Sequence, residues 1–468
     1  MKYYLGIDLG STTSKAVIIN ENEKIVGKGI TNTRANYEVA AEIAKQQAIY
    51  NTRFSLLKEK MAKTISQNRE LQQFFNDLEN TFQYVLFKDR LEKLQQEMLK
   101  VISDLAASQK EPNDILNQIL NHLSEELRKK YLKENLGTKN QFFRDIVSES
   151  YNEKLEQTDK KYFELLMNTF DKSINQVENE VIEYDFEEVI HQSLNILKDH
   201  YHALLNNELD EISTDFRSEL ELLAGKYKDI HEDLLSHIEN ISKIKIDIGN
   251  MVGTGYGRAL LPFPQDCIRS EILCHAFGAH FIFPNTRTVL DIGGQDTKAI
   301  QVDQYGMVTS FHMNDRCAAG CGRYLGYIAN EFGLSLNELG PMTLQSSKET
   351  NICSTCTVFA GAEVRELLNI GEKKENILAG LHKAIVSRAM SLIARSGGVY
   401  NEFTFTGGVA RNQAIVKYVS DFVKNSYGKD IKINIHTDSI FMGSLGAALF
   451  AKKNIQVQLE TKTSKIKN

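Results

Sequence analysis

Val289-Leu290-Asp291-Ile292-Gly293-Gly294-Gln295-Asp296-Thr297-Lys298 is an apolar strand that ends at an acid, turns on two glycines and resumes at a lysine. Acids flank the turn at Asp291 and Asp296. Such a loop can surround the far side of a triphosphate and its Mg²⁺ with backbone N–H groups, or position an attacking water. Near the start of the chain, Tyr3-Tyr4-Leu5-Gly6-Ile7-Asp8-Leu9-Gly10-Ser11-Thr12-Thr13-Ser14-Lys15 follows the same order of apolar strand, Asp, Gly, small polar residues and Lys. Taken alone, either stretch also describes an ordinary hairpin turn. Their recurrence points to a duplicated α/β domain with a nucleotide in the cleft between the copies.

Strand follows loop at the first site. Ala16–Ile19, a turn at Asn20-Glu21-Asn22-Glu23 and Ile25–Ile30 complete a strand hairpin. A Walker loop would open a helix instead. A third glycine turn, Thr406-Gly407-Gly408-Val409-Ala410, ends the strand Phe403–Thr406 and precedes a helix from about Gln413. Glycines there admit a flat base or ribose, and the helix start favours phosphate. Thr254-Gly255-Tyr256-Gly257-Arg258 is a further glycine-rich turn, and residues 268–281 read as a helix that contains His275. Ser439 to Ala448 opens a small-residue helix suited to close packing across the domain junction.

Between Tyr37 and Ile244 the composition changes. Only Gly137, Gly225 and Pro112 interrupt a stretch rich in Glu, Lys, Gln, Asn and Leu. Leu91, Leu94, Met98 and Ile102 recur at helical spacing, as do Ile115, Ile119, Leu123 and Leu127. One straight helix of that length would reach roughly 300 Å, so several long antiparallel helices are expected. Its histidines are dispersed on polar helices, and the stretch carries no nucleophile or metal constellation. It reads as a docking or scaffolding arm.

All six cysteines lie in the C-terminal half. Cys267 and Cys274 read as small buried residues. Cys317 and Cys321 form a C-x3-C pair before a helix near Gly322, and Cys353 and Cys356 a C-x2-C pair before a helix at about 358–368. Two close pairs in Gly/Ser/Thr loops suit zinc or a [4Fe–4S] cluster equally on spacing. Neither nucleic acid nor an anionic membrane surface is indicated by the net charge of −6. No uninterrupted apolar run reaches the roughly 18 residues of a membrane span, so a cytoplasmic protein is expected. At 468 residues the chain exceeds one ordinary core.

Together these stretches resemble the ATP-dependent iron–sulfur activator family, which comprises activators of 2-hydroxyacyl-CoA dehydratases and ATPase subunits of benzoyl-CoA reductase. The matching residues are Gly6 to Thr13, Gly253 to Arg258, Asp291 to Asp296, Asn314 to Gly320, Ser354 to Ala360 and Gly407 to Ala410. The long insert and the segment 30–37 look most like the larger ATPase subunit of the reductase. The resemblance implies an acetate/sugar-kinase–Hsp70–actin fold, with ATP or ADP and Mg²⁺ in the cleft. It also implies a [4Fe–4S] cluster shared with a homologous ATPase subunit, ferredoxin as electron donor, and a substrate-binding reductase or dehydratase partner. The family's cluster ligands map onto Cys317 and Cys356, whereas Cys321 and Cys353 fall outside the simpler activators' pattern.

The expected roles follow. Asp8 and Asp291 order Mg²⁺. Gly10, Ser11, Thr12, Thr13, Lys15, Gly293, Gly294 and Gln295 hold phosphates, and Gly407 and Gly408 contact the adenosine. Asp296 or Gln295 orients water. The expected domains are 1–40 with 245–287, a helical insertion at 41–244, a second actin-like domain at 288–453, and a disordered tail at 454–468.

Overall fold

The computed structural model describes residues 2–33, 36–62, 69–105, 110–134, 142–158, 160–206, 233–260, 263–315, 322–352 and 357–466. They fall into two compact units, one of residues 1–49 with 246–468 and one of residues 50–245.

Two sheets carry the first unit. β1 (Tyr3–Leu9), β2 (Thr13–Asn20) and β3 (Ile25–Asn32) form an antiparallel meander, and β4 (Ile248–Thr254) joins β1 in parallel. β5 (Thr288–Ile292), β6 (Thr297–Val302) and β7 (Val308–Asn314) repeat that meander. β8 (Phe403–Thr406) then pairs with β5 in parallel, and β9 (Ile433–Ile435) with β8.

The helices, in order, begin with α1 (Tyr37–Lys60), α2 (Arg69–Leu105), α3 (Glu111–Glu134), α4 (Phe143–Glu156), α5 (Phe163–Glu178) and α6 (Phe186–Asn206), then α7 (233–243). There follow α8 (Glu271–Ile282), α9 (Gly322–Phe332), α10 (Leu336–Thr343), α11 (Thr357–Asn369), α12 (Lys374–Arg395), α13 (Gln413–Tyr427) and α14 (Met442–Ile466).

Alternation along β1 decides what each face meets. Tyr3, Leu5, Ile7 and Leu9 pack on Ala41, Ala44 and Ala48 of α1. Tyr4 turns to the opposite face, against Leu445, Ala448 and Leu449 of α14. Gly6 lies on that face too: a Cβ there would come within 2.0 Å of Ser444 O. Asp8 continues the even-numbered series, so its side chain emerges on the α14 face. In the second sheet Val289 and Ile300 pack on Ala276 and Ala279 of α8. Asp291 shares the parity of Val289 and emerges toward α8.

α8 and α14 therefore exchange partners. α8, expected with residues 245–287 in the first domain, packs on the second sheet. α14, expected in the second, packs on the first. They cross backbone on backbone: a Cβ at Gly278 would meet Met442 O at 2.1 Å, and one at Gly446 would meet Cys274 O at 1.9 Å. Composition marks neither exchange. The insertion boundary also differs. α1 starts at Tyr37, yet its alanine-rich turns up to Ile49 belong to the nucleotide-type unit. Beyond Met442 no proline interrupts the chain, and α14 runs to Ile466 through most of the stretch expected as a disordered tail.

The described residues of 50–245 form a helical unit with two cores, with no strand among them. Tyr50, Phe54, Phe82 and Phe186 cluster with Leu194, Leu234 and Ile238. Leu94, Met98, Leu123, Tyr151 and Phe170 build the other. α2 runs through both cores, about 55 Å long at 1.5 Å per residue. Residues 207–232 of the stretch expected to be helical lie outside the described residues. Among the described residues one helix, α12, is long and apolar enough to cross a membrane by length and composition, but 67% of its apolar window is buried inside the protein.

Candidate functional site

The two halves build the same device. Asp8 is opposite Lys15 in the antiparallel ladder and opposite Thr254 in the parallel one. Asp291 is opposite Lys298 and Thr406. Lys15 Nζ lies 3.2 Å from Asp8 Oδ2, and Lys298 Nζ 3.3 Å from Asp291 Oδ2. Gly10 N donates to Thr13 O at 3.1 Å; Gly293 N donates to Asp296 O at 2.9 Å. After each threonine stands a glycine with positive φ, Gly255 at 91° and Gly407 at 90°. A Cβ on Gly255 would meet Leu9 O at 2.5 Å, and one on Gly407 would meet Ile292 O at 2.2 Å. Only glycine fits both the conformation and the space.

The two loops face each other across the cleft. A Cβ on Gly294 would fall 2.2 Å from Thr12 Oγ1. That approach brings the loop of Gly10, Ser11, Thr12, Thr13 and Lys15 up to the loop of Gly293, Gly294, Gln295 and Asp296. Gly407 and Gly408 join them at one edge. Gly407 N donates to Ser439 O, and the turn ends at Asn412, whose Oδ1 accepts from Ala414 N and Ile415 N to cap α13. That leaves the start of α13 rigid behind the turn.

Charge is dense and dry here. Asp8, Asp291 and Lys298 are each at most 3% exposed. Thr406 Oγ1 donates to Asp291 Oδ1 at 2.8 Å, and Lys298 Nζ also reaches Asp296 Oδ2 at 2.7 Å. Burial alone would raise the Asp291 pKa, but His275 and Lys298 hold it well below the carboxylate range. Lys298 moves the other way: burial disfavours its charge, and Asp291 and Asp296 more than offset that. Glu271, at the start of α8, has its carboxyl pushed up by burial.

Sequence reasoning missed His275. It sits one helical turn after Glu271, buried, with Nδ1 3.1 Å from Asp291 Oδ1 and Nε2 3.9 Å from Asp8 Oδ2. A histidine among Cys274, Ala276 and Phe277 reads as core. The available signal was the Glu271–His275 spacing of four on a helix between two phosphate-type loops.

The four cysteines of the two pairs lie outside the described residues, and among the described residues no cluster of His, Cys, Asp and Glu could hold a metal ion. The helices that follow the pairs are described. Tyr327 abuts Gly361, and Arg365 pairs with Glu331 at 3.0 Å, both contacts spanning the same 34 residues. A constant offset means α9 and α11 run parallel where they touch, so their N-terminal ends, Gly322 and Thr357, point the same way. α9 is also tied to the second loop, since Gly322 N donates to Gly293 O at 2.9 Å and Arg323 N to Gly294 O at 2.8 Å. Cys274 is buried with its thiol pushed up to about 12 by burial, and Cys267 is half-buried.

Comparison with known proteins agrees with this architecture. The (R)-2-hydroxyglutaryl-CoA dehydratase activating ATPase of Acidaminococcus fermentans is 41% identical over 218 residues, 46% of this chain and 80% of that protein. One of the subunits of the benzoyl-CoA reductase of Thauera aromatica is 32% identical over 204 residues, 44% of this chain and 71% of that protein. The crystal structure of the A. fermentans dehydratase component A matches with a TM-score of 0.50 at 23% identity. It covers 97% of this chain and 99% of its own, which makes the fold the actin-like ATPase fold. The model of the BadF/BadG/BcrA/BcrD ATPase family matches residues 5–451, and the chain belongs to that family.

Proposed function

We propose that the chain hydrolyses ATP between its two Asp–Lys loops and uses the cycle to drive low-potential electron transfer to a partner that acts on a CoA thioester. One observation carries this reading: the second loop's carbonyls at Gly293 and Gly294 accept directly from the first N–H groups of α9. A displacement of that loop by a γ-phosphate reaches the start of a cysteine-following helix through two hydrogen bonds.

In this reading Gly10, Ser11, Thr12, Thr13 and Lys15 cradle phosphates from one side, and Gly293, Gly294 and Gln295 from the other. Asp8 and Asp291 order Mg²⁺ through water, because both Asp291 oxygens already face donors. Asp296 or Gln295 orients the attacking water. Gly407 and Gly408 contact the adenosine. Cys317 and Cys356, with Cys321 and Cys353 beside them in sequence, would hold a [4Fe–4S] cluster shared with a homologous subunit. Bound there, such a group supplies one-electron chemistry, with ferredoxin as the donor. Thiolates of this kind persist in a reducing compartment, which favours the cytoplasm.

Two partner classes fit the same machinery. The higher identity to a dehydratase activator, 41% against 32% for the reductase protein, favours a 2-hydroxyacyl-CoA dehydratase. The long helical unit points the other way, toward the larger ATPase subunit of the reductase that it resembles. Iron, sulfide and zinc per chain after anaerobic purification, together with ATP-dependent reduction of each partner class, test the proposal. About two irons per chain and hydrolysis-dependent reduction support it. Zinc without sulfide would leave a kinase-like or regulatory ATPase and sink the electron-transfer reading.

A further inference from the structure

We propose that His275 is a positioning residue for ATP hydrolysis, joining Asp8 and Asp291 from the two halves into a single acidic centre. The inference rests on the ATPase reading above. Its ground is geometry. Each aspartate is the next-to-last residue of an interior strand of its own sheet, and each is held within its half by its own lysine. Among the described side chains, His275 is the one placed against both carboxylates, with Nδ1 on Asp291 and Nε2 toward Asp8.

The ring is clamped. It is 6% exposed, and α14 closes on it at Gly443, where a Cβ would stand 2.7 Å from His275 Nε2 and 2.9 Å from Asp8 Oδ2. Elements of both sheets and both crossing helices therefore converge on one imidazole. An apolar side chain would fill the same volume but leave two buried carboxylates facing each other with no donor between them.

The two links are unequal. Nδ1 lies 3.1 Å from Asp291 Oδ1, out of line for a hydrogen bond, while Nε2 is 3.9 Å from Asp8 Oδ2. In the proposed cycle the second link, at 3.9 Å, is the one with room to shorten, since the first is already at contact distance. The ring thus sets the spacing of the aspartates at the moment both loops grip the nucleotide, and acts on the chemical step more than on binding.

The test uses steady-state ATP hydrolysis by the full-length chain, purified anaerobically. His275→Asn places an amide near the Nδ1 position and His275→Gln near the Nε2 position, so each keeps one link. Both are expected to lower kcat at least tenfold while KM for ATP changes less than threefold. Gly443→Ala reaches the same ring from α14, at a helical position where alanine is otherwise favoured. It is expected to lower kcat in the wild-type background and to add little in His275→Ala. Asp8→Asn and His275→Ala should likewise combine to much less than the product of their separate effects. The proposal is overturned if the Asn and Gln variants stay within twofold of wild-type kcat, or if the Gly443 and Asp8 effects multiply fully with His275→Ala. Absence of hydrolysis by the unaltered chain would instead remove the ATPase reading, and the inference with it.

Discussion

The loop at Gly10-Ser11-Thr12-Thr13 and the loop at Gly293-Gly294-Gln295-Asp296 occupy equivalent places, yet they are chemically different. Both follow a buried aspartate, both close with the same backbone hydrogen bond, and both precede a lysine seven residues on. The first is lined with hydroxyls. The second carries an extra acid, and its lysine answers to Asp291 and Asp296 together. Asp291 also takes the Thr406 hydroxyl, whereas the matching hydroxyl of Thr254 turns away to Arg269 O. One scaffold thus carries two chemistries, neutral hydroxyl donors on one side and fixed negative charge on the other, which in the proposed cycle would serve phosphate on the first side and water and metal on the second.

Removing the two aspartates should separate these tasks most strongly. Asp291→Asn leaves Lys298 with Asp296 alone and takes the carboxylate away from His275 Nδ1 at full burial, and should cost about 3–5 kcal/mol in denaturant unfolding. Asp8→Asn, with one lysine partner, should cost about 2 kcal/mol. Equal losses would mean that the halves are electrostatically interchangeable.

The second half should also respond to acid. His382 on α12 is buried, its Nδ1 2.8 Å from Leu378 O and its Nε2 3.1 Å from Asn412 Nδ2, behind the Gly407–Gly408 turn. Burial lowers its pKa from 6.5 to about 4. Folding therefore favours the neutral ring. Its contribution is whole above 6.5 and is lost as pH falls toward 4, by about 3 kcal/mol at most. Urea midpoints between pH 7 and 4.5 should fall less steeply for His382→Gln than for the wild type.

Gly255→Ala and Gly407→Ala test the equivalence itself. Each forces a side chain to positive φ against a carbonyl, so both should cost about 2 kcal/mol, while Gly408→Ala, with only Ile440 at 3.6 Å, should change thermal stability little. A neutral effect at either Gly255 or Gly407 would break the match. Least in size, Gly294→Ala should push Thr12 aside and weaken nucleotide binding by about tenfold, or about 1.4 kcal/mol. Thr12→Ala should restore part of that loss in a double-mutant cycle read by ATP-analogue titration.

Much of this was legible in the sequence because it is local. A strand followed by Asp, glycine and a lysine seven residues on declares its own ladder, and β1, β5 and β8 begin and end close to where the pattern puts them. The helical unit was legible from spacing, and Leu94, Met98, Leu123 and Leu127 are buried as periodicity requires. What the sequence hid is what depends on tertiary crossing. Nothing in Cys274-His275-Ala276 says that a second sheet delivers an aspartate to the same ring. Nothing in the alanines of α1 marks residue 49 as the limit of the nucleotide-type unit. The parallel course of α9 and α11 rests on Tyr327, Glu331, Gly361 and Arg365, residues without any shared motif.

The glycine crossing of α8 and α14 has a mechanical consequence. Ridges of large side chains lock two helices at a set angle, but Gly278 and Gly446 bring bare backbone against backbone. Large side chains engage beside that contact, where Phe277 of α8 meets Phe450 of α14 with ring centroids 5.0 Å apart. His275 follows Cys274, whose carbonyl faces Gly446, and its ring faces Gly443, so the imidazole that touches both aspartates belongs to the same backbone crossing. A side chain added at any of these three glycines would therefore part the helices and the two halves of the site together.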